Sequence, residues 1–338
     1  MVPVREIPRK TKLTLAIMML FREFRYLRSS FVYPLLKERG VKCSEDSVKR
    51  KLQHMTDPQF GQEILMTPGE QFTPGQTSTG THLIYCMKEK GHKLCDEWEL
   101  NPFVIAFPQR RKPSPEEGEF AEEDVKLRNF WHALYICDVM ASIYLGHLLN
   151  NLGFIPHGKI LSLMPNPERT AMPFKRMYES ELVKGKLVLD ELYGTQYPSN
   201  PRKPSFTGLE LENTNSINRS KLSSTSFKRK GIGYVDIEEK KTYKEVFNTQ
   251  PRPLPNLKIL VATINQAKSD SQREFIEEYV GSSDMFRFTT FPNQSKSTDP
   301  ISPFPEILTT PCQRAGMDPI PLYNKDHKSV GQHSGDAE

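Results

Sequence analysis

The chain has 338 residues, 37% hydrophobic and 26% charged, with 27 prolines, 19 glycines, five cysteines and a formal net charge of +5. That composition excludes a collagen-like repeat, a disulfide-stapled miniprotein and a long coiled coil, and allows one ordinary domain with a tail or two smaller ones. The charge is segmented: residues 1–60 carry 13 Lys/Arg against 6 Asp/Glu, residues 201–232 carry 7 against 2, and six acids fall within 116–124. Separate contact surfaces would account for this, as would plainly solvated faces.

Residues 11–33 predict an amphipathic helix. Leu13, Ile17, Leu20, Phe24, Leu27 and Phe31 recur at spacings of three and four, and Pro34 is expected to end or kink the run. The apolar stretch Leu13–Phe21 is too short to cross a bilayer, and no membrane association is expected. Leu35–Arg39 leads to Gly40, a residue suited to a left-handed helix stop, and Ser44 is a fitting N-cap for a helix over 45–55. Residues 56–81 read as a loop, with the turn strings Thr67-Pro68-Gly69 and Thr73-Pro74-Gly75.

Leu83–Met87 and Phe103–Phe107 are candidate short strands, and 113–124 is an acidic loop. Residues 125–152 are apolar nearly all round, from Trp131 to Leu152, which predicts a buried core helix. Asp138 within it then needs a partner. A further helix is expected within 174–193. Beyond Tyr197 the texture becomes rich in Ser, Thr and Pro, and residues 196–338 read as a mostly disordered tail with order-prone islands at 231–247, 257–264 and 273–280. The first two islands look strand-like and the third helical. The expected fold is mainly α, with α+β as the alternative: a helical globular domain over 1–195, then the tail.

Four residue groups carry candidate chemistry. His82, Cys86, His92 and Cys95 place four nitrogen or sulfur ligands within fourteen residues, the donor set of a tetrahedral zinc site; zinc is the one candidate cofactor. The stretch 35–55 reads as helix, glycine turn and helix, with Val48 and Leu52 inward. Lys49, Arg50 and Lys51 would then meet nucleic-acid phosphates. Ser114 and Ser205 follow basic residues in the manner of kinase substrates. The odd, irregularly spaced cysteines indicate free thiols in a reducing compartment, hence the cytoplasm or nucleus. No phosphate-binding glycine loop, nucleophile elbow or zinc-protease motif is present. These features lead first to a non-enzymatic scaffold or adaptor with protein partners. The alternative is a nuclear nucleic-acid-binding protein working through 35–55.

Overall fold

The computed structural model describes residues 10–57, 63–68, 83–106, 119–163, 187, 189–212, 227–246, 255–291 and 301–323, with backbone alone at 119–129 and 245–246. Two compact units make up the chain. The first comprises Met1–Leu149, Pro156–Lys159 and Phe291–Pro305; the second comprises Asn150–Ile155, Ile160–Thr290 and Glu306–Glu338.

The first unit begins with α1 (Lys12–Glu23), capped by the Thr11 side chain. The chain then leaves the helix at Phe24, well before Pro34, because its backbone finds other partners. Arg25 N–H donates to the Ala106 carbonyl at 2.9 Å, and β1 (Leu27–Arg28) pairs antiparallel with β3 (Ile84–Met87). Pro34 lies inside α2 (Ser29–Glu38). The expected continuous helix over 11–33 is therefore two helices separated by a strand. Tertiary pairing overrides the shared apolar periodicity.

Helix α3 (Glu45–Thr56) follows a tight turn and starts where the sequence predicts. After it come β2 (Leu65–Met66), β3 and α4 (Glu89–Glu97). The three short strands form an antiparallel sheet in the order β1-β3-β2. Of Phe103–Phe107, the described residues 103–106 contribute an isolated bridge from Ala106 to Phe24 and no strand. Helix α5 (Glu119–Leu149) is the core of this unit, with Phe130, Leu134, Val139, Met140 and Ile143 fully buried. Asp138 has the partner it needs: Arg28 donates to it at 2.9 Å. Phe130–Leu149 has the length and hydropathy of a membrane span, and most of it is buried inside the protein.

The second unit is built on a seven-stranded sheet in the order β10-β9-β8-β7-β6-β5-β4. β4 (Gly153–Ile155), β5 (Glu191–Tyr197) and β6 (Asn200–Glu212) form an antiparallel meander. From β6 the chain crosses over through α7 (Phe227–Lys240) and α8 (Tyr243–Val246) to β7 (Lys258–Thr263), which runs parallel to β6. A second crossover, α9 (Gln266–Val280), leads to β8 (Ser283–Thr290), parallel to β7. β9 (Pro311–Ala315) and β10 (Met317–Pro321) close the edge as an antiparallel hairpin. Helix α6 (His157–Ser162) follows β4 in the chain. Tyr234, Ile259, Val261, Ile276, Phe286 and Phe288 form the core between helices and sheet.

The expected mainly α domain with a disordered tail is thus overturned: the protein is α/β, and the supposed tail supplies five of the seven strands of the large sheet, β6 to β10. The island at 231–247 is helical and not strand-like. The helix expected within 174–193 ends in strand β5, and its part over 174–186 lies outside the described residues. The islands could not fold alone, but strand pairing joins them: β7 fits between β6 and β8 and every one of its residues is buried except Lys258. β6 escaped notice because Pro201 and Pro204 look like linker. Both precede the part of the strand that pairs with β7, which begins at Thr207, so neither withholds a donor from that ladder.

Candidate functional site

The turn between α2 and α3 is set by hydrogen bonding and one glycine. Gly40 has φ +76, Gly40 N–H donates to the Lys37 carbonyl at 2.9 Å, and Val41 N–H donates to Leu36 at 3.0 Å. This is the Schellman arrangement, which stops α2 and redirects the chain. Ser44 then caps α3, and Ser47 returns the bond: each side chain accepts the other's backbone N–H, at 3.2 and 3.0 Å. Val48, Leu52 and Met55 anchor one face of α3 in the core. Lys49, Arg50, Gln53 and His54 are exposed on the rest of the helix.

Of the three predicted phosphate contacts, Lys49 and Arg50 are exposed and Lys51 is half-buried, with burial lowering its pKa. Lys49 is paired with Glu45 at 2.9 Å, both side chains more than half exposed. A pair so open to water holds its lysine weakly, so exchange for a phosphate costs little. Behind the two helices, β2 and β3 form an antiparallel ladder with β1 on the far side of β3. The unit is therefore a helix-turn-helix followed by a β-ladder, with α3 as its second helix.

Of the proposed zinc ligands, the three among the described residues, Cys86, His92 and Cys95, are not grouped as a metal shell. His92 lies against Arg22 at 3.2 Å, and burial followed by the Arg22 charge lowers its pKa. Cys95 is buried, its thiol on the Met87 sulfur at 3.8 Å and pushed up to about 11 by burial, which opposes the thiolate that zinc needs. Cys86 sits half-buried on β3, and His82 lies outside the described residues. Among the described residues, no three His, Cys, Asp or Glu side chains stand together as a metal shell. Ser114 also lies outside the described residues, and Ser205 is half-buried in β6, paired across the sheet with Thr195.

Sequence reading missed a cluster in the second unit. Glu210 on β6 is wholly buried and accepts from the Tyr234 hydroxyl and the Lys230 ammonium, one turn apart on α7. Two residues on, Glu212 pairs with Lys268 of α9 at 3.2 Å. Asp190, just before β5, accepts the Leu211 backbone N–H at 2.7 Å. Burial is the main force that pushes Glu210 up to about 7, with Asp190 adding to it against the pull of Lys230. For Lys230, burial works downward, but the charges of Glu210, Asp190 and Glu212 outweigh it and hold the ammonium well above the ordinary lysine value. The alternation Leu209-Glu210-Leu211-Glu212 was the available signal, since it puts both carboxylates on one strand face. The chain matches no protein-family model, no curated protein and no solved structure.

Proposed function

We propose that this is a nucleic-acid-binding protein whose first unit docks on duplex DNA through α3. The observation that carries the reading is the presentation of α3. It follows a Schellman turn, buries Val48, Leu52 and Met55, and leaves Lys49, Arg50, Gln53 and His54 outward. A helix fits the major groove, cations offset phosphate charge, and Gln reads adenine edges. The surplus of basic residues over 1–60 adds long-range attraction. Glu45 and Asp46 in the first turn make that end repel phosphates and so favour entry with the Lys49–His54 stretch foremost. The scaffold reading, with protein partners alone, has no such surface to name.

Fluorescence anisotropy of the full chain with a labelled duplex, titrated with salt, tests this. Binding is expected in dilute salt and should weaken as salt rises. The double variant Lys49→Ala, Arg50→Ala should flatten the slope of log affinity against log salt by about 1–2, as expected for one or two lost phosphate contacts. Neither side chain supports the core, so circular dichroism should be unchanged. No binding in dilute salt, or an unaltered slope in the variant, would return the chain to the protein-scaffold reading.

A further inference from the structure

The charge cluster of the second unit has a position and a composition that fold stability does not require. Buried ion pairs are often no more stabilising than apolar side chains of the same volume. Here they gather near the carboxyl end of β6, where the sheet turns parallel toward β7, and the carboxyl ends of strands are the side on which open α/β sheets bind ligands, although this sheet, in strict chain order, has no reversal of strand order there. The β5–β6 register pairs Glu191 with Leu209, so one step further sets Asp190 across from Glu210. Two carboxylates directly opposite each other repel, which a cation between them would relieve. Lys230 supplies positive charge to Glu210 from α7.

A second observation lies on α9. Gln272 is 7% exposed, yet its Oε1 has no hydrogen-bond partner. It stands one helical turn after Lys268, the partner of Glu212, and one turn before Ile276, a core residue. A turn of helix advances about 5.4 Å, and two strand residues span about 6.6 Å. Descending α9 from Lys268 by one turn therefore reaches the level of Glu210. A buried acceptor left open at that level suits a hydrated cation, whose waters donate hydrogen bonds.

We propose that Asp190 and Glu210 form a two-carboxylate site for a divalent cation whose outer positions take phosphodiester oxygens of nucleic acid. Magnesium-type ions need only one or two protein carboxylates, keeping waters and ligand phosphates for the rest, so a closed three-residue shell is unnecessary. Lys230 holds the place of the cation and is displaced from Glu210 when the ion enters. Lys268, buried on Glu212 at the carboxyl end of β6, supplies the positive charge that the phosphate would meet. The phosphodiester assignment rests on the reading of the first unit as a nucleic-acid binder; the cation site does not.

Titration of the full chain with MnCl2 alone, followed by calorimetry and by the electron paramagnetic resonance of free Mn2+, tests the site. One equivalent is expected to bind. Asp190→Asn and Glu210→Gln should each weaken binding at least tenfold, and Lys230→Met should tighten it several-fold by removing the competing ammonium. A merely structural lysine would give no such gain. Asp190→Asn, at a partly exposed position, keeps the test valid if Glu210→Gln fails to fold. Absence of stoichiometric binding, or affinity unchanged in Asp190→Asn, overturns the site; the latter would move the ion to the acidic run at 116–124. The dinucleotide TpT, too short to engage a groove-reading helix, should then raise Mn2+ affinity. If it does not, the phosphodiester half fails whatever the outcome of duplex binding through α3.

Discussion

Gly91 shows how one residue sets the spacing between a helix and the strands beside it. It lies on α4, where an alanine would ordinarily favour the helix by about 1 kcal/mol. A Cβ at this position would stand 2.6 Å from Met87 Cγ and 2.7 Å from the Ile64 carbonyl oxygen. That carbonyl is already fixed by the Lys88 N–H at 2.8 Å, so it cannot retreat without loosening the end of the β2–β3 ladder. Gly91→Ala is expected to destabilise the protein by about 1–3 kcal/mol, the usual cost of overpacking, and not to stabilise it. Urea denaturation measures this, and a variant more stable than wild type would show that α4 does not press on the strands. The cluster around Glu210 obeys the same close-range logic with charge in place of volume: its partners Lys230 and Tyr234 are fixed by one helix turn.

At the scale of an element, α5 carries two buried titratable groups whose effects oppose each other. Asp138 is pushed up to about 6 by burial, against the pull of Arg28, and His147 is pushed down to about 4 by burial, with its Nδ1 on the Ile143 carbonyl at 2.8 Å. The folded state holds the Asp138 proton more tightly than the unfolded chain does. Its contribution to stability is full below the unfolded value near 3.8 and is lost as pH rises through about 6. For His147 the folded state resists protonation. Its contribution is full above the unfolded value near 6.5 and is lost as pH falls through about 4. Each is worth on the order of 3 kcal/mol by the conversion of 1.36 kcal/mol per pH unit. Between pH 4 and 6 the two slopes cancel on this helix. His147→Gln removes one of them. The stability gap between wild type and variant is expected to widen in favour of wild type by about 2–3 kcal/mol from pH 4 to pH 6.5, measured by urea unfolding at each pH. A gap that stays constant would mean that His147 titrates alike in both states.

At the scale of the molecule, local signals revealed what local signals can specify. The Ser44 cap, the Gly40 stop and the apolar girth of 125–152 were legible because caps, turns and helix burial depend on residues a few positions apart. The sheet was not, because β6 pairs with β7 and β7 with β8, partners that lie far along the chain, and because Glu210 on β6 is buried where composition places a carboxylate in water. The helix-turn-helix was visible and its β-ladder was half visible, through Leu83–Met87; the Glu210 cluster was overlooked despite the alternation at 209–212, because β6 was read as linker. Chain order hides one more relation: Phe291–Pro305 belongs to the first unit although it follows most of the second. There the Phe304 N–H donates to Ser142 Oγ on α5 at 3.0 Å, Ser30 Oγ on α2 donates to the Ile301 carbonyl at 2.6 Å, and Phe291 meets Phe304 edge-on at 6.0 Å. A chain cut after Thr290 retains α2, α3 and all of α5, yet loses these bonds. Its α2 and α5 amides are expected to exchange at least tenfold faster than in the full chain, a loss of about 1.4 kcal/mol or more of protection. A peptide of residues 291–305 added in excess should restore part of it. Hydrogen exchange read by mass spectrometry separates these peptides from those of the sheet, which the cut also weakens by removing β9 and β10. Unchanged exchange in α2 and α5 would show that the first unit is complete without its late segment.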